Sequence, residues 1–457
     1  MTSLRLDWVA EVTGGQLLGE AVTAEGVATD SRKVSAGQLF FALPGAREDG
    51  HAHIAAALRA GAVAVVASRT GEYGCPLVMV EDTRQALARL ARAYMARVNP
   101  RVVAITGSVG KTSCKELTAA AIASQFSVLK SGGNQNTEVG LPLSVLSHQQ
   151  EEVMVLEMAM RGFGQIAFLT EIAPPDVAVV TNIGEAHIEL LGSRDNIARA
   201  KAEILQGSKA KSIAVLNRDD EYYEYLARWA KGPVISFGVH SQADWVIGEG
   251  EADALLRYSF ALRREREQYF VRCPWPGRHH IYNAAAAVAT AAAVGVDPNR
   301  AIEAIAVCAP SEHRLNVLRS ADGVVVIDDT YNASPISMLA ALATLSETKT
   351  AGRRIAVLGS MYELGHRSKA AHQEVGSAAA AVCDIVITVG AEALDIAAEV
   401  SSRGTKPVYS CQTPTEALSL LRREQRPGDV VLIKGSRGLR LEQIVAAVLK
   451  GVESNAD

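Results

Sequence analysis

A chain of 457 residues is long enough for about three domains, and its 48% hydrophobic residues suffice for large buried cores. The net charge of −4 and the lack of a basic block disfavour a nucleic-acid partner. Six cysteines without a Cys-x-x-Cys pair argue against structural zinc and for reduced thiols. The longest apolar run, residues 284–296, is too short to span a bilayer, and residues 1–12 contain no signal-type apolar segment. We therefore expect a cytoplasmic protein without membrane insertion.

Residues 1–84 have the pattern of a small α/β domain. A short amphipathic helix is predicted at residues 4–12, closed by Gly14 and Gly15. Two strands, residues 38–43 and 62–66, flank a helix at residues 53–60. The polar turn that contains Asp30, Ser31 and Arg32 separates apolar segments, and composition alone makes it a simple turn.

Residues 101–112, RVVAITGSVGKT, have the pattern of a phosphate-binding loop. The apolar residues 102–105 are typical of a buried parallel strand, and a helical pattern begins at Lys111. Backbone N–H groups at a helix start point toward an anion, and the helix dipole attracts it. Lys111 would reach the terminal phosphates, and the Thr112 hydroxyl would ligate Mg²⁺. The predicted phosphate-binding residues are Gly107, Ser108, Val109, Gly110, Lys111, Thr112 and Ser113.

The glycine spacing of this loop narrows the class of protein. Gly107 and Gly110 enclose two residues instead of the usual four, which disfavours switch GTPases and motor ATPases. An ordinary strand-to-helix turn is the alternative interpretation.

Two larger α/β domains follow, at residues 85–312 and 313–457. In the first, a helix at 83–98 leads into strands at 102–106, 153–156, 177–181 and 213–216, which indicate a doubly wound, mostly parallel sheet. Short alternating runs after Ser236 predict an antiparallel flap at the sheet edge, followed by helices at 282–294 and 300–308. In the last domain, strands at 324–327, 355–358, 385–389 and 430–433 predict a second parallel sheet with functional loops at its carboxyl edge.

Three polar residues near predicted strand ends are candidates for metal or phosphate chemistry. Glu157 ends the apolar run VMVL, where a carboxylate beside a phosphate-binding loop can hold Mg²⁺. His187 follows the strand VAVVTNI, at an edge where ligands bind. Lys201 lies in the predicted helix IARAKAEIL. The simpler alternatives are a solvated glutamate, a structural histidine and a solvent-exposed helix lysine.

Further polar residues occur in loops and at a domain boundary. Asn134 and Asn136 in SGGNQNT bind a ligand or make turns, and Asn283 meets a base edge or caps a helix. Arg314 at the second boundary closes on a phosphate or is a linker arginine. The dense polar loop after residues 324–327 favours a site, and IKGSRG places cations at another strand end. Their candidates are Asp328, Asp329, Tyr331, Asn332, Lys434, Ser436 and Arg437.

Taken together, these motifs resemble those of the Mur ligases of peptidoglycan synthesis. They occur in that family's order and cover nearly the whole chain: ITGSVGKTS, GNQNTEVG, LEMAMRGFGQI, TNIGEAHIE, AKAEIL, GRHHIYNAAAA, EHRL, DDTYNASP and IKGSRG. TDSR with GQLFFALPGAREDGHAHI is similar to members that act on the longer peptides. GSMYELGHRSKAAHQEVG is similar to the member that adds D-alanyl-D-alanine, and the DNPR-like motif of the single-amino-acid ligase is missing.

The resemblance implies a fold and a reaction. The fold is a small N-terminal α/β UDP-binding domain, a central P-loop ATPase-type parallel sheet, and a C-terminal Rossmann-like domain that binds nucleotide and D-alanyl-D-alanine. The reaction is ATP-dependent amide formation between UDP-N-acetylmuramoyl-tripeptide and the dipeptide, through an acyl phosphate, by a monomer. Alternatives are another ligase of the superfamily, such as the folylpolyglutamate type, a P-loop switch or motor, and an inactive regulatory binder.

The resemblance also implies roles for individual residues. Lys111 and Thr112 would bind phosphates with one Mg²⁺ that Glu157 shares, and His187 would hold a second. Lys201 matches the family lysine that CO₂ carbamylates into an anionic metal ligand. The remaining assignments are Asn283 to adenine, Arg314 to phosphates, Asp329 with Asn332 to the ribose side, and Asp30, Ser31 and Arg32 to the UDP end. Tyr331 is a further candidate for binding the nucleotide. Other substrate contacts would come from Asn134, Asn136, Thr137, Lys434, Ser436 and Arg437.

This sequence departs from the family pattern at two places. The loop after Glu157 contains AMRGFGQI, where many relatives have a Gly-Ala-Asn-like start and a Glu before the Ile. Ser334 stands where an Asn is common. These differences concern the substrate contacts and leave the nucleotide assignment unchanged.

Overall fold

Three α/β domains are built on separate β-sheets, as the sequence predicts. The computed structural model describes residues 3–45 and 48–450. Ala46 and Arg47 of the N-terminal motif, and the end of the predicted third domain, lie outside these ranges. No helix within them is long and apolar enough to cross a lipid bilayer. The exact boundaries at 84/85 and 312/313 stay predictions.

The first domain has a five-stranded sheet and a separate two-stranded one. Its strands are β1 (Ser3–Arg5), β2 (Gln16–Leu18), β3 (Thr23–Glu25), β4 (Val27–Ala28), β5 (Leu39–Phe41), β6 (Ala64–Ala67) and β7 (Leu77–Met79). Its helices are α1 (Leu6–Thr13) and α2 (Ile54–Arg59). The strand order is β2-β7-β6-β5-β4, and β1 pairs antiparallel with β3. The prediction of a helix from residue 4 was therefore wrong at its start, because the buried Leu4 lies opposite Ala24 in the small sheet.

Helix α3 (Thr83–Val98) leads into the central domain at the predicted bounds. The Asp82 carboxylate accepts hydrogen bonds from the backbone N–H groups of Arg84 and Gln85, which caps the helix start. Asn99 ends the helix in the left-handed conformation, with φ 43°. The helix contacts α1 on one side and central-domain helices on the other, so it joins the two domains through one apolar core.

The central domain contains a nine-stranded sheet with helices on both faces. Its strands are β8 (Arg101–Thr106), β9 (Val128–Lys130), β10 (Val153–Glu157), β11 (Val177–Val180), β12 (Ile213–Asn217), β13 (Val234–Gly238), β14 (Trp245–Ala252), β15 (Arg257–Arg264) and β16 (Glu267–Pro276). Its helices are α4 (Lys111–Ala123), α5 (Gly140–Leu146), α6 (Gln165–Ile172), α7 (Ile188–Leu191), α8 (Arg194–Gln206), α9 (Tyr223–Ala227), α10 (His280–Ala293) and α11 (Pro298–Ala306).

The strand order of this sheet, β16-β15-β14-β13-β12-β11-β8-β10-β9, places β8 between β10 and β11. Pairing is parallel from β9 to β14, and β14, β15 and β16 pair antiparallel, which confirms the predicted flap. Because parallel strands end at one edge, the loops after β8, β10 and β11 are neighbours. The alanine-rich α10 is almost wholly buried and packs against α4.

The third domain has a six-stranded sheet with the order β17-β18-β22-β19-β20-β21. Its strands are β17 (Asn316–Arg319), β18 (Val325–Asp329), β19 (Arg354–Gly359), β20 (Ile385–Val389), β21 (Val408–Cys411) and β22 (Val430–Lys434). Its helices are α12 (Pro335–Glu347), α13 (Ser368–Val382), α14 (Leu394–Ser402), α15 (Pro414–Glu424) and α16 (Glu442–Leu449). The prediction of a parallel sheet is corrected at one edge, where β17 pairs antiparallel with β18. Ser334, one of the departures from the family pattern, caps α12 with a capping box.

Candidate active site

The turn between β8 and α4 has a backbone that only glycine allows at its last position. Gly110 has φ +80°, and a Cβ there would lie 2.7 Å from Oδ1 of Asn283 on α10. The loop after β11 braces the turn from the other side. Val109 donates its N–H to Asn182 Oδ1 at 3.0 Å, and Thr181 Oγ1 donates to the Val109 carbonyl at 2.7 Å. These contacts brace the glycine turn, residues 107–110, which is the candidate phosphate cradle.

Two lysines converge on this turn. Lys111 Nζ donates to the carbonyl of Gly107 at 2.8 Å and to that of Ser108 at 3.3 Å. Lys201 Nζ, from α8, donates to the same Gly107 carbonyl at 3.0 Å. Burial lowers the pKa of Lys111, an effect that Glu157 opposes. Burial, and then the charge of Lys111, lower the pKa of Lys201 well below its usual range.

Lys201 is 1% exposed, so it is not a solvent-exposed helix lysine. Among the described residues it forms no ion pair, and the Gly107 carbonyl is the one hydrogen-bond acceptor recorded for it. A buried ammonium with a single neutral acceptor is costly, because burial penalises the charged form. This site therefore favours a different chemical state of the amine or a bound anion beside it.

Glu157, the last residue of β10, lies under the cradle and is 3% exposed. Its Oε2 accepts from Thr112 Oγ1 at 2.8 Å, and its Oε1 accepts from Asn136 Nδ2 at 2.7 Å. Its backbone N–H donates to Ser131 Oγ at 3.0 Å. A carboxylate and a hydroxyl in contact are oxygen donors of the kind that Mg²⁺ prefers.

The described residues contain no group of three or more His, Cys, Asp and Glu side chains placed to hold a metal. Mg²⁺ keeps several water ligands and is bound by one or two carboxylates together with substrate phosphates. Thr112 and Glu157 bring one hydroxyl and one carboxylate into contact, and an arrangement of this kind is compatible with such a site.

His187 follows β11 and has a left-handed backbone, with φ 66°. Its Nδ1 lies 2.5 Å from Oε2 of Glu363, which belongs to the third domain. Burial lowers the pKa of His187, an effect that Glu363 opposes and that Lys111 and Lys201 add to. The contact with Glu363 leaves Nε2 of the ring for another ligand.

Arg314, the boundary arginine, reaches across to the phosphate-binding loop. Its Nη2 donates to Thr112 Oγ1 at 2.9 Å, and its guanidinium lies 4.0 Å from the ring centroid of Tyr331. A guanidinium over an aromatic ring is attracted by the ring electrons, and this contact helps to position it. The linker-arginine alternative does not account for these contacts.

The loops after β18 and β22 form a polar cluster in the third domain. Lys434 Nζ lies 2.6 Å from Asp329 Oδ2 and donates to the Asn332 carbonyl at 2.8 Å. Burial raises the pKa of Asp329, and Lys434 opposes that shift. The neighbouring Asp328 accepts from Thr330 and lies 2.8 Å from His313 Nδ1, so it supports the loop.

The other predicted residues lie at varied distances from this centre. Asn283 is buried beside Gly110, with its Nδ2 3.2 Å from His280 Nδ1. Asn134 and Thr137 are exposed residues of the loop that carries Asn136. Ser436 Oγ accepts from the Tyr362 N–H at 2.9 Å, and the exposed Arg437 pairs with Glu442.

Asp30, Ser31 and Arg32 form a separate unit in the first domain. Asp30 caps a single 3-10 turn, Ser31–Lys33, and accepts from the backbone and guanidinium of Arg32. The guanidinium lowers the pKa of Asp30 to about 2. The structure records no contact between this unit and the phosphate-binding loop within the described residues, and its assignment to the UDP end stays a prediction.

Four residues that shape the site were not among the predicted site residues: Thr181, Asn182, Ser131 and Glu363. Asn182 follows directly after a predicted strand, a position that could have marked it. Glu363 lies inside GSMYELG, a stretch quoted above only for its resemblance. Its contact with His187 spans 176 residues of sequence, which no local pattern reveals.

Comparison with known proteins agrees with this geometry. The chain is 34% identical over 451 residues to the UDP-N-acetylmuramoyl-tripeptide–D-alanyl-D-alanine ligase of Bacillus subtilis strain 168, an alignment that covers 97% of each chain. The chain belongs to the Mur ligase family. Three models of that family match it: a Mur ligase family catalytic domain at residues 23–95, a Mur ligase middle domain at 105–291, and a Mur ligase glutamate ligase domain at 313–437.

Other Mur ligases show similarity of the same extent. The ligase of the same name from Escherichia coli K12 is 34% identical, and the alignment covers 98% of this chain and 99% of that ligase. The crystal structure of MurF from Acinetobacter baumannii superposes with a TM-score of 0.89 at 30% identity, covering 98% of this chain and 99% of that one. MurF from Thermotoga maritima, solved in complex with ADP, superposes with a TM-score of 0.82 at 34% identity. The superposition covers 95% of this chain and 99% of that one.

Proposed function

We propose that this Mur ligase joins D-alanyl-D-alanine to UDP-N-acetylmuramoyl-tripeptide with hydrolysis of ATP to ADP and phosphate. The product is UDP-N-acetylmuramoyl-pentapeptide, a precursor of peptidoglycan. The observation that carries the proposal is the convergence of Lys111, Lys201 and the Thr112–Glu157 pair on one glycine turn. The names of the full-length relatives support the choice of substrates.

The chemistry requires an activated carboxylate, because an amine cannot displace a basic oxide from a free carboxylate in water. In the proposed reaction the terminal carboxylate of the tripeptide is phosphorylated by ATP. The dipeptide amine then attacks the acyl phosphate, an amide bond forms, and phosphate leaves. Both steps bring anions together, so charge neutralisation and positioning supply most of the rate.

Lys111 and Arg314 neutralise the phosphates in this scheme. The two cations come from different parts of the chain, since Lys111 starts α4 and Arg314 belongs to the domain boundary and contacts Thr112. The backbone N–H groups of residues 107–113 add donors at the helix start. The closed turn that Thr181 and Asn182 brace keeps these donors in place.

Mg²⁺ fits the oxygens of Thr112 and Glu157, and His187 and Lys201 are proposed for a second ion. When bound, the metal neutralises phosphate charge and strengthens the phosphoryl electrophile. Asn136 holds Glu157 through a hydrogen bond to Oε1, so the other carboxylate oxygen faces Thr112.

Carbamylation of Lys201 is part of the proposal. The modification needs an uncharged amine, and the buried site with Lys111 nearby disfavours the ammonium. A carbamate would replace a cation by an anion that attracts Mg²⁺ and Lys111. The helix face fixes the position of the group, because Lys201 lies one turn from Ile197 and Ile204, both fully buried.

The remaining substrate contacts follow the family pattern. Asn283 is proposed for the adenine and Asp329, Tyr331 and Asn332 for the ribose side. Asp30, Ser31 and Arg32 are proposed for the UDP end. Asn134, Asn136, Thr137, Lys434, Ser436 and Arg437 are proposed for the peptide and dipeptide. A monomer working in the cytoplasm completes the proposal.

The test is phosphate release from ATP by the purified protein with UDP-N-acetylmuramoyl-tripeptide, with and without D-alanyl-D-alanine. We expect turnover that needs both substrates, and none with a folate and glutamate. Dipeptide-independent turnover, or preference for a single amino acid or for folate, would assign the chain to another branch of the superfamily.

A further inference from the structure

Glu363 is the side chain through which the third domain reaches the metal-ligand candidate His187. The two oxygens of this carboxylate have different partners in the central domain. Oε2 lies 2.5 Å from His187 Nδ1, in the loop after β11, and Oε1 lies 3.3 Å from Arg161, in the loop after β10. Glu363 therefore contacts the two loops that flank the phosphate-binding strand β8.

The backbone around Glu363 is built for this contact. Glu363 has φ 65° and His187 has φ 66°, so two non-glycine residues from different domains face each other in the left-handed conformation. Such residues persist where the surrounding structure fixes them, and they cluster at functional sites. Gly365, two positions on, has φ 50°, and a Cβ there would lie 3.1 Å from the Glu189 side chain. The Glu189 N–H also donates to the Glu363 carbonyl at 3.3 Å, so the turn lies close against α7.

The ion pair with Arg161 is not the main reason for a carboxylate at position 363. Arg161 is 71% exposed, and exposed ion pairs contribute little. His187 is 23% exposed, and a carboxylate on one ring nitrogen of a ligating histidine sets the tautomer and the direction of the other nitrogen. That hydrogen bond places the proton on Nδ1 and leaves the lone pair of Nε2 for a ligand.

We propose that Glu363 is a positioning residue that the third domain delivers to His187, so that His187 has its ligating orientation only when the two domains are docked. This inference rests on the proposed function for the identity of the site. This role explains why a carboxylate of the third domain contacts the two central-domain loops beside β8. Closure of the domains then completes the metal site as well as the phosphate site.

The test uses the full-length protein and the variants Glu363→Ala, Glu363→Gln and His187→Ala, with both double variants. The first readout is Mn²⁺ binding, measured by electron paramagnetic resonance with a non-hydrolysable ATP analogue and UDP-tripeptide present. The second is kcat and the KM for ATP in the ligation assay. Glu399→Ala is the matched control, since this carboxylate pairs with Arg403 inside the third domain.

We expect Glu363→Ala to weaken Mn²⁺ binding and lower kcat by about 10–100-fold, with the KM for ATP within about twofold of wild type. Glu363→Gln keeps an acceptor for Nδ1–H and the side-chain volume, and should lie closer to wild type. In the His187→Ala background neither Glu363 variant should have a further effect, because the carboxylate acts through the ring. Circular dichroism verifies that the variants are folded.

Wild-type Mn²⁺ affinity in Glu363→Ala, or full additivity with His187→Ala, would overturn the inference while the ligase function stands. The reverse case is distinguishable as well. If the wild-type protein does not ligate D-alanyl-D-alanine, the proposed function fails, and the Mn²⁺ measurements still decide whether Glu363 acts through His187.

Discussion

Arg314 at the start of the third domain donates a hydrogen bond to Thr112 of the phosphate-binding loop, over 2.9 Å. The residues on both sides of it, His313 and Leu315, have left-handed backbones with φ 61° and 51°. The boundary is therefore bent sharply at the residue that contacts the nucleotide cradle. A ligand that binds Thr112 and Arg314 together would favour this docked arrangement of the domains.

Domain closure should be measurable in solution. The nucleotide is assigned to Asn283 of the central domain and Asp329 of the third domain, so a docked arrangement is needed to hold it. The central and third domains share an apolar core, and partly exposed polar contacts also join them, for example Arg367 with Glu185 at 3.1 Å. We expect the radius of gyration from small-angle scattering to fall when an ATP analogue and UDP-tripeptide bind. An unchanged radius in a demonstrably open apo protein would contradict this.

Lys111→Ala should remove turnover with little loss of stability. The ammonium donates to two carbonyls of the turn, and the loss of each bond costs about 1 kcal/mol of unfolding free energy. Removal of a buried charge offsets part of this loss. The loss of a cation at the phosphates should lower kcat by about 10²–10³-fold or more. Ligation rate and chemical denaturation measure the two effects. Lys130→Ala, which removes an exposed lysine, is the control, and wild-type turnover in Lys111→Ala would remove the cradle assignment.

Lys201→Ala should lose most activity and keep UDP-tripeptide binding. If the missing group is a carbamate at the end of a long arm, a small carboxylate such as acetate should partly restore the ligation rate. Chloride at matched ionic strength is the control. Full activity without additive would show that the buried amine has no catalytic role. If activity is lost and acetate does not restore it, the intact mass of the wild-type protein shows whether Lys201 carries a carbamate.

The stability of the protein should fall in mild acid because of His279. Burial, with a smaller effect of Lys434, lowers the pKa of this imidazole to about 4. Between pH 6.5 and 4 the unfolded chain binds a proton that the folded chain does not, so stability is present above pH 6.5 and is lost as the pH falls toward 4. The loss is about 3 kcal/mol at most.

Denaturation midpoints at several pH values in this range measure the effect. His279→Gln should reduce the dependence, and part of it should remain because burial also lowers the pKa of the neighbouring His280. His366→Gln, at an exposed position, should leave the dependence as in wild type. Equal pH dependence in wild type and His279→Gln would contradict the assignment.

Much of the fold was predictable because local patterns were strong. The helix Thr83–Val98 was predicted at its observed bounds from its apolar stripe and the proline that follows it. The strands β17 and β21 were missed because they are short edge strands of four residues with at most one buried residue each. An edge strand covered on one side needs no continuous apolar run, so the sequence carries little signal for it.

The site was predictable where residues are near in sequence and less so where they are not. The phosphate-binding loop was read from a contiguous motif. The burial of Lys201 had a signal in its spacing, because it shares a helix face with Ile197 and Ile204, yet a charged residue at such a position is usually taken as exposed. The contact of Glu363 with His187 had no such signal in the sequence spacing, since it is made between domains.

The most direct test of the central claim follows oxygen from the carboxylate to phosphate. UDP-N-acetylmuramoyl-tripeptide labelled with ¹⁸O in its terminal carboxylate is incubated with the protein, ATP, Mg²⁺ and D-alanyl-D-alanine, and both products are analysed by mass spectrometry. Activation as an acyl phosphate predicts UDP-N-acetylmuramoyl-pentapeptide together with inorganic phosphate that carries one ¹⁸O. Unlabelled phosphate, or no pentapeptide at all, would contradict the account.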